Sequence, residues 1–262
     1  MAFNLASLSR SVIKPPRIII YGESGIGKTT LAVCSDNPVV IRTEDGMGTL
    51  DAACFPVAKS FNDVMESLTS LYNEKHDFKT LVIDSLDWLE PLIWQHTCQF
   101  WTDKKGDPKR LASIEDAGFG KGYVEATGYW REFFSGITAL RDDKGMTIIM
   151  TAHSETKRVE DPMLASYDTH GLKMHKRASA LAEEFADVIL FATIQTNMIT
   201  EEVGFNNKRT RATTTGQRVM HTVGQPAFLA KNRYNLPPVM PLTWAAFAGA
   251  MPALTPATPN AL

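Results

Sequence analysis

The chain has 262 residues, 44% of them hydrophobic and 21% charged, with 27 basic against 29 acidic side chains and a formal net charge of −2. That balance suits one α/β domain or two small ones with an ordinary core, and it excludes a globally basic surface, so any nucleic-acid binding has to come from a local patch. Three cysteines without a C-x-x-C pair, no leader-like apolar segment and no run of 18 apolar residues point to a cytoplasmic protein that does not enter a membrane.

Residues 1–16 read as a polar lead-in that ends in the stiff Lys14-Pro15-Pro16. One domain is expected over 17–251, followed by a Pro-, Ala- and Thr-rich tail over 252–262 whose composition predicts disorder. The first apolar run, Arg17–Tyr21, predicts a buried strand. Directly after it, Gly22-Glu23-Ser24-Gly25-Ile26-Gly27-Lys28-Thr29 spells G-x-x-x-x-G-K-T, the Walker A pattern. Its glycines let the backbone turn tightly, so that successive N–H groups point at anionic oxygens. Lys28 would reach the β- and γ-phosphates, the Thr29 hydroxyl would ligate Mg²⁺, and Thr30 continues into a helix whose positive end faces the same place. The loop therefore reads as a nucleoside triphosphate site.

Pro38–Arg42 predicts a second buried strand and Phe55–Ala58 a short one. Ser60 is a helix N-cap ahead of Phe61, Val64, Leu68 and Leu71 at helical spacing. Thr80–Asp84 is a third buried strand, with a Trp-rich helix behind it. Residues 103–122 read as a long loop rich in glycine and charge, and Tyr123, Thr127, Trp130, Phe134 and Ile137 as one face of a long helix. Met146–Thr151 is the next strand, running to His153. A polar segment over 154–175 separates it from a helix at Lys176–Glu184 and a strand at Asp187–Ala192. Turn signals at Gly204, Asn206-Asn207 and Gly216 predict antiparallel hairpins within 194–235, ahead of an apolar helix at Leu242–Met251. The expected fold class is α/β: a mainly parallel sheet flanked by helices, with an antiparallel hairpin extension towards the C-terminus.

Four further groups bear on the phosphate loop. Asp84 closes an apolar strand and is placed to hold the Mg²⁺ shell together with Thr29. Glu44, just past the second strand, is a candidate general base, with Asp45 as its substitute; the positions directly after Asp84 are Ser85, Leu86 and Asp87, with no adjacent glutamate. His153 closes a strand and offers a hydrogen-bonding ring. Lys231 and Arg233 lie two apart on a predicted strand and point the same way.

Together, Gly22–Thr29, Glu44, Asp84, His153, the stretch from Tyr167 to Asp187 and Lys231-Asn232-Arg233 resemble the phage-encoded RecA-core ATPases of the AAA_24 type, which include minimal single-strand annealing proteins. The resemblance spans about residues 14–240. It implies a RecA-like P-loop core that binds and hydrolyses ATP with Mg²⁺ and assembles into a ring or filament on single-stranded DNA. In RecA-like ATPases the glutamate that orients the attacking water ends the strand beside the phosphate loop, the place assigned to Glu44. A polar sensor of the γ-phosphate, often glutamine, stands where His153 stands. Lys231-Asn232-Arg233 resembles the K-N-R-F-G motif of bacterial RadA and the K-x-R pairs of hexameric DnaB-type helicases, in which the pair reaches a neighbour's nucleotide; here Tyr234-Asn235 replaces the final Phe-Gly. Catalytic roles are thus implied for Lys28, Glu44, Asp84, His153, Lys231 and Arg233. The DNA-facing loops would be 103–122, with Lys104, Lys105, Lys109, Arg110 and Lys121, and 154–177, with Lys157, Arg158, Lys173, Lys176 and Arg177. A helicase or loader motor built from the same residues, and a nucleotide switch that recruits a partner protein, are the alternatives.

Overall fold

The computed structural model describes residue 8 and residues 13–103, 106–160, 165–202, 208–252 and 254. Most of the N-terminal lead-in and of the C-terminal tail, together with Lys104 and Lys105, lies outside the described residues.

The sheet grows outward from β1 (Arg17–Gly22). On one side follow β5 (Thr147–Val159), β4 (Thr80–Asp84), β2 (Pro38–Arg42) and β3 (Ala53–Cys54), all parallel. On the other side β7 (Val188–Glu202) is parallel to β1, and β8 (Lys208–His221) and β10 (Val239–Pro241) continue antiparallel. The short β9 (Lys231–Asn232) pairs with the start of β7, at Val188 and Ile189, before β8 begins its own pairing at Phe191. The expected architecture, a mainly parallel sheet between helices with an antiparallel extension, is the one observed.

Continuous apolar strands bury both faces of the sheet, as parallel strands require. Ile19, Tyr21, Ile41, Leu81, Ile83 and Met150 face one core, shared with α2 (Phe61–Asn73), α3 (Leu86–Gln99), α4 (Lys121–Lys144) and α5 (Lys176–Phe185). The alternate residues Ile18, Ile20, Val40, Val82 and Leu190 face the other, under α1 (Lys28–Val33) and α6 (Trp244–Ala250). Ser60 caps α2 as the sequence predicts: its hydroxyl accepts from the Asp63 N–H at 3.2 Å, and the Asp63 carboxylate accepts from the Ser60 N–H at 3.0 Å. Of the face expected on α4, Trp130, Phe134 and Ile137 are buried, whereas Tyr123 and Thr127 stand at its margin.

Four expectations need correction. The strand that leads to Glu44 is not beside the phosphate loop: β5 and β4 separate β2 from β1. The polar segment 154–175 is largely a hairpin. Beyond His153, β5 leaves the parallel sheet and pairs Ser154–Val159 antiparallel with β6 (Tyr167–Leu172). Both of its faces are polar, so no alternation marked it as strand. In the region after 194, β7 and β8 pair along one long antiparallel register in place of several short hairpins, and the turn signals at Gly204 and Asn206-Asn207 lie outside the described residues. Finally, β3 lies at Ala53–Cys54, just ahead of the expected Phe55–Ala58.

Candidate nucleotide site

The cleft forms where the parallel strands end. Gly22 closes β1 against β7, and a Cβ there would come within 2.3 Å of the Ala192 carbonyl oxygen, so only glycine lets the loop start at this height. Gly27, with φ at +108°, then turns the loop into α1. It offers no side-chain cap, and the first turn of α1 contains no acid, which leaves N–H donors there for an outside anion.

Lys28 is buried, and its ammonium donates to the carbonyl oxygens of Gly22 and Glu23 at 3.1 and 2.9 Å. Burial lowers its pKa, opposed by the charges of Asp87, Asp84 and Glu44. The Thr29 hydroxyl donates to Asp84 at 3.1 Å, and the Thr151 hydroxyl donates to the other carboxylate oxygen of Asp84. Asp84 is thereby held, buried in the cleft, by one side chain from α1 and one from β5. A hydroxyl and a carboxylate side by side are the hard oxygen donors that Mg²⁺ takes when phosphate oxygens complete its shell. Among the described residues no group of three or more His, Cys, Asp or Glu could hold a metal ion by itself.

Glu44 reaches this cleft from the loop after β2. Its Oε1 accepts from the Ser85 hydroxyl at 2.9 Å, and burial raises its pKa. Ser85 is fixed in turn by Thr43, whose hydroxyl accepts from the Ser85 N–H and donates to the Ser85 carbonyl, both at 2.7 Å. The Asp84–Ser85 peptide is cis. Asp45, the substitute candidate, points away: it is 87% exposed and faces Arg42 at 3.8 Å.

His153 lines the cleft beside Lys28 and Asp84. Its N–H donates to Asp87 at 3.0 Å, and its ring Nδ1 lies 2.8 Å from the other Asp87 oxygen. Burial alone would raise the pKa of Asp87, but the hydrogen bonds from His153 outweigh it and the net direction is down. With Nδ1–H committed to Asp87, donation to a phosphate from Nε2 requires the ring to carry both protons.

Asp87 stands one turn before Glu90 on α3, and Glu90 accepts the His175 N–H with both carboxylate oxygens, at 3.0 and 3.1 Å. The His175 ring stacks on Tyr123 at 4.1 Å. One helix thus touches His153, at the end of the parallel part of β5, and the junction of the two segments expected to face DNA. In those segments Lys109, Arg110, Lys121, Lys173, Lys176 and Arg177 are exposed, whereas Lys157 pairs with Glu155 at 3.1 Å and Arg158 faces Asp168 at 4.0 Å.

Burial pushes the Glu90 carboxyl from 4.5 up to about 7. The folded chain then binds this proton more tightly than the unfolded chain, so stability declines as pH rises from about 4.5 through about 7. Glu90→Gln is expected to gain on the parent by at most about 3 kcal/mol between pH 5 and pH 8. Urea unfolding at both pH values reads this directly, and parallel pH dependences would refute it.

Lys231 and Arg233 lie at the other end of the sheet. The Lys231 ammonium donates to the carbonyls of Glu183 and Glu184 at 2.6 and 3.3 Å, at the C-terminal end of α5. Arg233 donates to Asp187 at 3.0 Å, and the same carboxylate receives Arg17 at 2.8 Å and Arg141 at 3.5 Å. From Arg17 to Gly22 β1 rises roughly 16 Å at 3.3 Å per residue, so the pair does not reach its own chain's phosphate loop. The structure does bring Gly22–Thr30, Glu44, Asp84 and His153 together. Sequence reasoning missed Thr43, Ser85, Asp87, Thr151 and Arg218, which also border or support the cleft. Thr151 and His153, two apart on one strand, were the readable hint of a shared face.

The family of AAA domains designated AAA_24 matches residues 14–234, which is most of the chain. The chain belongs to this family. No curated protein matches it. The crystal structure of the RadB recombinase is similar with a TM-score of 0.43 and 13% sequence identity, covering 80% of this chain and 81% of that one. AAA_24 membership and the cleft geometry agree on a P-loop nucleotide-binding domain. No helix among the described residues is long and apolar enough to cross a membrane.

Proposed function

We propose that this AAA_24 chain is a RecA-like, Mg²⁺-dependent ATPase that acts on single-stranded DNA in phage-type recombination, promoting annealing or strand pairing. The carrying observation is the cleft itself, where the buried ammonium of Lys28 has only carbonyl partners, beside a hydroxyl–carboxylate pair and a braced glutamate. A buried ammonium held by carbonyl oxygens, with acids nearby but none in ion-pair contact among the described residues, favours a phosphate ligand, and loop N–H groups add donors around it. Thr29 and Asp84 would hold Mg²⁺, which when bound neutralises charge on the phosphates. Glu44 orients and deprotonates the attacking water, and its raised pKa suits that work near neutral pH. His153 signals the state of the cleft to the hairpin that continues from it.

The exposed cations of 109–121 and 173–177 supply a local patch for the phosphate backbone, with contact through α3 to the nucleotide cleft as the supporting feature. Lys231 and Arg233 act on a neighbouring subunit's site; the Arg233 side chain is 51% exposed while it pairs with Asp187, which leaves it accessible to another copy. An ATPase assay with and without single-stranded DNA, run across protein concentrations, tests this reading. Hydrolysis is expected to rise with DNA, and to rise further where subunits assemble. Negligible turnover with DNA present would favour a switch, and unwinding of a forked duplex would favour a motor.

A further inference from the structure

The phosphate cleft has a fourth wall that the Walker pattern does not supply. Arg218 on β8 lies over the loop, with Nη1 3.2 Å from where a Cβ on Gly27 would sit. It lines the same cleft as Lys28, Thr29, Glu44 and Asp84. Its backbone is fixed on both sides: Arg218 pairs with Ile194 of β7, and its carbonyl accepts the Leu242 N–H at 3.0 Å. Side chains alternate along a strand, and Met220, two residues on, is buried in the core under α1 and α6. Arg218 therefore emerges on the α1 face of the sheet, where the loop is.

The guanidinium has no carboxylate within ion-pair distance among the described residues. Protection of an open edge does not account for it, because β8 is flanked by β7 and β10. What it does face is a loop of N–H donors and a buried ammonium, a combination that only an anion makes favourable.

We infer that Arg218 is a phosphate-binding residue supplied in cis, its guanidinium donating to the phosphate chain of a nucleoside triphosphate held by Gly22–Thr29. This rests on the nucleotide-site reading above. It gives the site a cation from the same chain, whereas Lys231 and Arg233 can serve only a neighbour's.

The test is nucleotide affinity, measured by titrating fluorescent ATP and ADP analogues with Mg²⁺ into the parent, R218A, R218K and K28A, with turnover as a second reading. R218A is expected to weaken ATP binding roughly 10- to 100-fold, the range of one lost charge-assisted contact. R218K should recover part of that, since the charge remains and the planar fork does not. The loss should be the same at every protein concentration, and melting temperature should not move, because the side chain is exposed. ATP affinity of R218A within twofold of the parent, with K28A still defective, would overturn the Arg218 assignment alone. A parent that binds neither nucleotide would overturn the nucleotide reading along with it. A loss in R218A that appears only in assembled protein would place the contact in trans and also refute the proposal.

Discussion

Lys28→Ala is expected to lower affinity for Mg²⁺-ATP by roughly 100-fold or more, with the fold intact. The reason lies in the charge balance of the cleft. Asp84, Asp87 and Glu44 all act on the Lys28 ammonium, which is itself buried against carbonyl oxygens. Removing it leaves three acids facing the place where phosphates would lie, so the variant loses an attraction and uncovers a repulsion. The native ammonium is held at the expense of desolvation, as its lowered pKa shows. Alanine relieves that strain, and stability should change by no more than about 1 kcal/mol. Calorimetric titration reads the first effect and thermal unfolding the second. ATP affinity close to that of the parent would mean that Lys28 is a structural residue of the loop.

The part of this site legible in the sequence is the part that is local. Gly22–Thr29 carries its own chemistry over eight consecutive residues, and Asp84 follows an unmistakable buried strand. Glu44 is legible because it also sits just past a strand, although that strand lies two places further from β1 than one beside the phosphate loop would. Asp87 bears no glutamate signature along the chain, yet its place in the first turn of α3 is what lets it grip His153. Arg218 was out of reach for another reason. It arrives through β8, which touches the site only because β7 pairs with β1, and no spacing along the chain encodes that. The hairpin beyond His153 was hidden because its strands are polar on both faces and are specified by cross-strand pairs such as Arg158 with Asp168. Lys231 and Arg233 show the converse. Their motif was plain in sequence, but inside one subunit their partners are the end of α5 and the arginine cluster on Asp187.

Glu44→Gln separates binding from chemistry. The substituted amide keeps an oxygen to accept the Ser85 hydroxyl, so Ser85 and Thr43 should stay where they are and Asp84 with them. Mg²⁺-ATP affinity should therefore remain within a few-fold of the parent. Turnover should fall by about 10³-fold, since an amide cannot take a proton from water and a placed general base contributes on the order of 10² to 10⁴. The pH profile adds a second check. Burial raises the pKa of Glu44, and a base works only when ionised, so parent activity should fall on the acid side at a higher pH than an ordinary glutamate would give. Single-turnover hydrolysis from pH 5 to 8 resolves that limb, and Glu44→Gln should lose it. Turnover that survives the substitution would move the base elsewhere, and Asp45 is a poor heir because it points into solvent beside Arg42. Asp87 stands behind the cleft wall, already committed to His153, which lines it. A surviving acid limb in Glu44→Gln would thus direct attention to the Asp87–His153 couple as the proton acceptor, with His153→Gln the variant that decides.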